Sequence, residues 1–297
     1  MRIEIATAPC SWGVFYADGR TSNTPYPVFL SQASEAGYKK IELGPDGYLP
    51  QDIIKLKGEL DKYRLGVCAG TATIPFGAMN RDQCIGMIEQ LATRLNNLDC
   101  SEMVVMDGTL YGKDFPRKKE WTPEIWKTVY DNILQVNDYL KKEHCIKMVF
   151  HPHAGTAIEF TDEINHMLQM GDIYLCFDTG HHVFSNGGTD KGDQTALNFI
   201  QENKDRIAYL HFKNVDGEIR RKSIEEGWSV MQAFMSQVMC DLEDGVIDFE
   251  QLRDVLSEID FRGVAVIEQD MFKATTDIAF RTAKKNLEYL RRINMIE

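Results

Sequence analysis

Five of the seven histidines, His151, His153, His181, His182 and His211, stand at or just beyond the ends of three short apolar runs, with only His144 and His166 elsewhere. Further ionisable residues close the same runs. In MVFHPHAGTAIEF, His151 and His153 flank a proline and Glu159 follows at the entrance to the next helical stretch; in IYLCFDTGHH, Asp178 ends five apolar residues. IAYLHFKN sets His211 and Lys213 two apart, and VAVIEQD does the same for Glu268 and Asp270. Residues two apart on a strand point to the same side. A carboxylate such as Asp178 is expensive to bury without a cationic partner. A lone histidine beside a strand is usually a satisfied structural residue, so it is the clustering that argues for chemistry. One imidazole with two or three carboxylates forms a mixed nitrogen and oxygen set. That set suits a divalent ion such as Mn²⁺, Co²⁺, Zn²⁺ or Mg²⁺, with positions left open for a substrate. The alternative is that Asp178 and Glu268 cap helices or pair with Lys213 and arginines.

Elements that would position these residues recur along the whole chain. Strand candidates cover residues 3–8, 40–43, 66–70, 103–107, 147–151, 173–178, 207–212 and 264–268. Most are near-continuous Val, Ile, Leu, Met and Phe, the pattern of a parallel strand covered on both faces. Helical patterns fall between them at 26–36, 52–63, 81–96, 122–142, 161–170, 193–203, 249–259 and 275–293. Thr122 followed by Pro123 and Glu124 is a helix start, and Gly37 and Gly171 stand where helices should stop. Eight strand and helix units joined by right-handed crossovers predict an α/β fold, a (β/α)8 TIM barrel closed on itself, ahead of an open doubly wound sheet. A barrel needs about 250 residues, and no linker divides the 297 residues here, so one domain spanning 1–297 is expected.

The longest irregular stretches, 107–121, 183–192 and 214–245, each follow a predicted strand. In a barrel such loops crowd the C-terminal mouth, where substrate sites are built. Within the last of them, residues 228–239 (WSVMQAFMSQVM) form an apolar patch with three readings: a lid helix, a subunit contact, or packing under a loop. Trp12 and Phe15, after the first strand, would serve as an apolar wall over the ring face of a ligand or as lid packing.

Composition excludes several classes. The chain is 43% hydrophobic and 26% charged, a packed globular balance. Its 33 Lys plus Arg against 45 Asp plus Glu leave a net charge of −12, which repels a polyanion, so no nucleic-acid partner is expected. No apolar run approaches the ~18 residues of a membrane span, and MRIEIATAPCSWG lacks a signal layout. No membrane partner and a cytoplasmic location are the expectation. The seven cysteines are scattered without a C-x-x-C pair and read as reduced thiols. Ser185 to Gly188 is a turn, too short for a nucleotide loop, which favours an unphosphorylated ligand.

At Asp178-Thr-Gly-His181, His211-Phe-Lys213-Asn and Glu268 the chain resembles the xylose isomerase-like TIM barrels, a superfamily of sugar epimerases and isomerases, inosose dehydratases and type IV apurinic endonucleases. Further stretches are similar to the inosose dehydratase group: APCSWGV from Ala8, Glu42-Leu43-Gly44-Pro45 with Gly47-Tyr48-Leu49-Pro50, and His151-Pro-His153-Ala-Gly-Thr. The resemblance implies a metal held by a Glu after strand five, an Asp after strand six, a His after strand seven and a Glu after strand eight. Asp178, His211 and Glu268 match the last three. Strand five ends in His151 where many relatives have Glu, and Glu159 is the candidate ligand, with His151 or His153 as substitutes. The nuclease branch needs further histidines after strands three and four, and VCAG and MDG offer none.

The resemblance also implies a reaction. A divalent ion, Mn²⁺ or Co²⁺ first and Zn²⁺ or Mg²⁺ next, would chelate two oxygens of a polyhydroxylated ketone and stabilise an enediolate. Loss of the β-hydroxyl as water would make the protein a dehydratase of a keto-inositol or similar keto-sugar. Return of the proton elsewhere would make it a ketose isomerase or 3-epimerase. His153, Glu159, Lys213 and Glu268 are the catalytic candidates, Lys213 neutralising oxyanion charge unless it only pairs with Asp178 or Asp270. Glu42, Trp12, His151 and His181 are the substrate-binding candidates. A partner-dependent, non-catalytic sugar-binding subunit is the reading from a different class, and a homo-oligomer is left open by the patch at 228–239.

Overall fold

The computed structural model describes residues 1–15, 24–111, 117–272 and 275–297, so that part of the expected loop 107–121 lies outside the described residues. Ten strands follow in chain order: β1 (Arg2–Thr7), β2 (Lys40–Glu42), β3 (Gly66–Ile74), β4 (Glu102–Asp107), β5 (Lys147–Phe150), β6 (Tyr174–Asp178), β7 (Ile207–Phe212), β8 (Asn214–Val215), β9 (Met239–Cys240) and β10 (Arg262–Ile267). Eight of them close into a parallel barrel in the order β1, β10, β7, β6, β5, β4, β3, β2. The expected eightfold strand and helix repeat is thus a TIM barrel. The short β8 and β9 pair antiparallel outside it.

The helices are α1 (Tyr26–Ala36), α2 (Ile53–Tyr63), α3 (Arg81–Asn97), α4 (Pro123–Tyr139), α5 (Thr161–Met170), α6 (Thr179–Asn186), α7 (Thr195–Glu202), α8 (Gly217–Glu225), α9 (Val230–Met235), α10 (Phe249–Glu258) and α11 (Thr276–Arg292). Local chemistry sets their ends. Asp52 caps α2 by accepting from Lys55 N at 2.8 Å, and Asn80 with Gln83 forms a reciprocal capping box on α3. Gly37 ends α1 at φ 110, a left-handed angle that suits glycine. The helix expected over 122–142 is broken. It leaves α4 through a π-helical turn at Leu140–His144 that stops at Cys145 with φ 55.

Strand periodicity decides what faces the barrel axis. Ala6, Cys68, Val104, Val149, Cys176, Tyr209, Val264 and Val266 form a cluster of small to medium side chains. The alternate residues on the same strands, among them Met148, Phe150, Leu175, Phe177, Leu210, Phe212 and Ile267, pack outward into the larger core under the helices. Each fully buried side chain of that kind contributes roughly 1.5–3 kcal/mol. Continuing the inner parity in steps of two reaches His151 after Val149, Asp178 after Cys176, His211 and then Lys213 after Tyr209, and Glu268 after Val266. The apolar filling of the barrel therefore gives way to ionisable groups at its C-terminal mouth. No helix among the described residues is long and apolar enough to cross a membrane.

Candidate active site

At that mouth, Asp178, His211, Lys213, Glu268 and Asp270 come together from three neighbouring strands. His211 Nδ1 is 3.2 Å from Glu268 Oε2 and 3.7 Å from Asp178 Oδ2. Lys213 Nζ lies 3.1 Å from Asp178 Oδ2, 2.9 Å from Glu268 Oε2 and 3.3 Å from Asp270 Oδ2. It also stands 3.0 Å from His181 Nε2. All six residues are buried. The ion pairs with Lys213 and the capping of a helix, both set against a metal role at the outset, are thus present. Asp178 Oδ1 accepts from His181 N at 2.8 Å and so caps α6, an element not expected within the residues following β6. The two oxygens of Asp178 face different groups, one the start of α6 and the other the charges carried by the neighbouring strand β7.

Several contacts hold Lys213 in place. Thr179 Oγ1 donates to Lys213 O at 2.7 Å, and Lys213 N lies 3.1 Å from the same hydroxyl. A β-carbon on Gly180 would come within 2.4 Å of Lys213 Cβ, so only glycine lets α6 approach β7 this closely. The next residue, Asn214, is wholly structural. Its amide nitrogen donates to Leu242 O and Ile247 O, and its oxygen accepts from Val215 N and Ile247 N.

The remaining histidines form a second layer. The rings of His153 and His181 are 3.7 Å apart between centroids, with His151 5.3 and 5.5 Å away. His151 is also 4.8 Å from His211. Phe234, carried on α9, lies 5.5 Å from the His181 ring and 6.3 Å from that of His153, with Phe184 behind it at 5.4 Å. The apolar patch at 228–239 is thereby resolved. Its Ala233 and Phe234 turn inward over the site, while Met231 and Met235 remain exposed.

Five expected positions are placed elsewhere or differently. Glu159 is not brought to the cluster. The loop after β5 reverses at Gly155 (φ 80) and ends at α5, so Glu159 Oε1 accepts from Ser185 Oγ at 2.8 Å while its N–H donates to Glu163. As a ligand and catalytic residue it is corrected by that geometry. Trp12 is no wall over the mouth: its indole N–H donates to Gln32 at 2.7 Å and its ring meets Phe29 edge-on, within the layer under α1. Phe15 stacks on Phe272 at 4.1 Å. His182 is wedged between Phe177 and Phe199, at 4.9 and 4.7 Å. Glu42 is at the mouth but fully engaged: His211 Nε2 and Tyr209 Oη reach Oε1 at 2.9 and 3.0 Å, and Thr71 Oγ1 donates to Oε2 at 3.0 Å. Asp270 is foreseen only as an ion-pair partner of Lys213, and Tyr209, Thr71 and Phe234 are not singled out by their spacing. Tyr209 was legible as the residue two before His211 on one face; the others needed contacts between distant segments.

Burial and mutual charge set the protonation states. Burial opposes ionisation of Asp178, but Lys213, His211 and His151 outweigh it and hold the carboxyl well below its usual range. Glu268 is held low in the same way, burial being overcome by His211 and Lys213. Asp270 goes up, because burial, Glu268 and Asp178 outweigh Lys213. Burial would discharge Lys213 and His211, yet the surrounding carboxylates, and Cys176 beside His211, raise both. His151 and His181 are pushed well down by burial and by neighbouring cationic groups, and His153 falls to about 4 through burial and Lys213.

The donor set fits a divalent cation. Asp178 Oδ2, Asp270 Oδ2, His151 Nδ1 and His211 Nδ1 are buried with no hydrogen-bond partner, although Lys213 is close enough to the two carboxylates for charge contact. Orphaned acceptors of this kind cost about 1–3 kcal/mol each unless something satisfies them. Among the described residues, three groups bring ligand atoms within 4.8 Å of one another, Glu42 with His211 and Glu268, His151 with Cys176 and His211, and His151 with His153 and His181, while Asp178 Oδ2 stands 3.7 Å from His211 Nδ1 outside them.

Residues 30–293 match the model of the xylose isomerase-like TIM barrel family, and the chain belongs to that family. An inosose dehydratase from Geobacillus kaustophilus is 25% identical over 301 residues, covering 98% of this chain and 94% of that protein. The rhizopine catabolism protein MocC from Rhizobium meliloti is 27% identical, over 91% of this chain and 82% of its own. Among solved structures, the IolI protein with a bound zinc atom superposes with a TM-score of 0.69 at 16% identity, covering 98% of both chains.

Proposed function

We propose that this protein is a metal-dependent hydro-lyase that removes water from a keto-inositol or a similar polyhydroxylated ketone. The observation that carries the reading is the convergence of Asp178 and Glu268 on His211 Nδ1, with Lys213 alongside, in a chain whose relatives over nearly its full length are named inosose dehydratase. Asp178, His211 and Glu268 would hold the ion, with His151 adjoining them in the position expected of the strand-five ligand. When bound, the ion supplies Lewis-acid polarisation of the substrate carbonyl.

The rest of the chemistry belongs to the side chains. Lys213 presents a permanent positive charge where negative charge develops on the substrate oxygen. His153 and His181, neutral and with ring centroids 3.7 Å apart, would take the proton from the carbon beside the carbonyl and return it to the β-hydroxyl, which leaves as water. One proton and one hydroxide leave the substrate, so no co-reactant is needed. Phe234 covers the imidazoles and keeps bulk water away.

The test is turnover of the chelated and refilled protein, with Mn²⁺, Co²⁺, Zn²⁺ or Mg²⁺, across keto-inositols and ketoses. Water loss is expected to produce a conjugated diketone that absorbs in the ultraviolet, and chelation is expected to abolish it. A product of unchanged formula would make the protein an isomerase or 3-epimerase. Full metal loading without turnover would leave a sugar-binding subunit, and full activity after chelation would refute the metal reading.

A further inference from the structure

Glu42 closes β2 and meets the ring nitrogen of His211 other than the one near Asp178 and Glu268. It is 2% exposed, and both of its oxygens are occupied. An ionised carboxylate only accepts hydrogen bonds, so the 2.9 Å contact with His211 Nε2 requires the hydrogen on Nε2. The other ring nitrogen, Nδ1, has no hydrogen-bond partner and faces Asp178 Oδ2 and Glu268 Oε2. Glu42 thus meets Nε2 while Glu268 lies near Nδ1; the three residues also stand close enough to share an ion, and an ion bound through Nδ1 leaves Nε2 and its hydrogen to Glu42.

We infer that Glu42 is a positioning residue, which fixes the tautomer and ring orientation of His211 so that Nδ1 is the nitrogen presented to a divalent cation. Tyr209 Oη and Thr71 Oγ1 hold the carboxylate from β7 and β3, so three strands set the direction of one lone pair. Carboxylate and histidine pairs of this form orient the ligand and raise its basicity. A carboxylate so enclosed is not free to receive a substrate hydroxyl, which replaces the role expected for Glu42 from the sequence. The inference rests on the metal reading proposed above.

The experiment measures Zn²⁺ affinity by competition with a chromophoric chelator, for the wild type, Glu42→Gln, Thr71→Val and Asp178→Asn, with circular dichroism confirming the fold. Alongside, ¹⁵N spectra of the Zn²⁺-loaded wild type identify the ring nitrogens of His211. Expected are hydrogen on Nε2 and metal on Nδ1, a roughly 10–100-fold weaker Kd for Glu42→Gln, a smaller loss for Thr71→Val, and no binding by Asp178→Asn. If the wild type binds Zn²⁺ and Asp178→Asn does not, while Glu42→Gln keeps the wild-type Kd or His211 binds through Nε2, the inference is overturned and the metal reading stands. If the wild type binds no ion, both fall. Should Glu42→Gln fail to fold, the nitrogen assignment and Thr71→Val decide: metal on Nε2, or an unchanged Kd for Thr71→Val, counts against the inference.

Discussion

Lys213 Nζ lies 2.9 Å from Glu268 Oε2, with the two side chains 2% and 8% exposed. The same ammonium touches Asp178 and Asp270, so three carboxylates from β6 and the end of β10 share one cation. Desolvating such a group costs as much as its attraction returns, which makes it poor evidence for stability and good evidence for a functional requirement. Its members nonetheless depend on one another.

Lys213→Met tests that dependence. With the ammonium gone, His211 alone is left to offset three buried carboxylates, and the metal-free variant is expected to lose about 3–5 kcal/mol of unfolding free energy. Added Mn²⁺ or Zn²⁺ should raise the Tm of the variant more than that of the wild type, since the ion supplies the missing charge. Denaturant unfolding and thermal scans with and without metal check both statements, and an equal metal response in the two proteins would count against the charge argument.

Gly180→Ala acts on the same lysine through space. The new β-carbon would lie 2.4 Å from Lys213 Cβ, a backbone-near atom that cannot simply swing aside. A displacement of around 1 Å at a catalytic group lowers turnover on the order of 100-fold. The expected outcome is a fall in kcat of that order with the circular dichroism spectrum retained. Wild-type kcat would show that the position of Lys213 is not critical.

Phe234→Ala removes the ring over His153 and His181. Truncating a buried phenylalanine costs about 3–5 kcal/mol, and the two imidazoles should become open to diethyl pyrocarbonate. Faster carbethoxylation of His153 and His181 than in the wild type is expected, followed by mass spectrometry of the labelled peptides. Unchanged labelling rates would mean that α9 does not cover the site.

His182 sets a pH response of stability separate from the site. Burial lowers it to about 4, both ring nitrogens lack partners, and an unfolded histidine titrates near 6.5. Between those values the unfolded chain binds the proton and the native one does not. Stability from this residue is therefore intact above pH ~6.5 and is lost as pH falls towards ~4, by up to roughly 3 kcal/mol. His182→Leu should flatten that part of the curve. Urea midpoints at intervals from pH 7 to 4 would reveal it, and parallel curves for the two proteins would contradict it.

The barrel was legible before any coordinates because its cause is local. Continuous apolar runs, helix starts such as Thr122-Pro123 and the stop at Gly37 are properties of short segments, and eight repeats of strand and helix leave few ways to close. The two-residue period also placed His211 with Lys213, and Glu268 with Asp270, on common faces, so the charged mouth followed from strand geometry alone. The period runs out where a loop turns. The resemblance made Glu159 the candidate ligand, but the direction of the loop after β5 is set by Gly155 and by the capping of α5, and it carries that carboxylate to Ser185.

What the amino-acid sequence alone determined is therefore which residues sit on the inner face of each strand, because side-chain alternation needs only the neighbours in the chain. What the tertiary structure decided is which of them meet. Glu42 and His211 are 169 residues apart and joined at 2.9 Å, and Phe234 covers imidazoles carried by the loop after β5 and by α6. Those relations depend on how far each loop travels before the chain returns, a quantity fixed by the packing of the whole barrel and by no single segment of it.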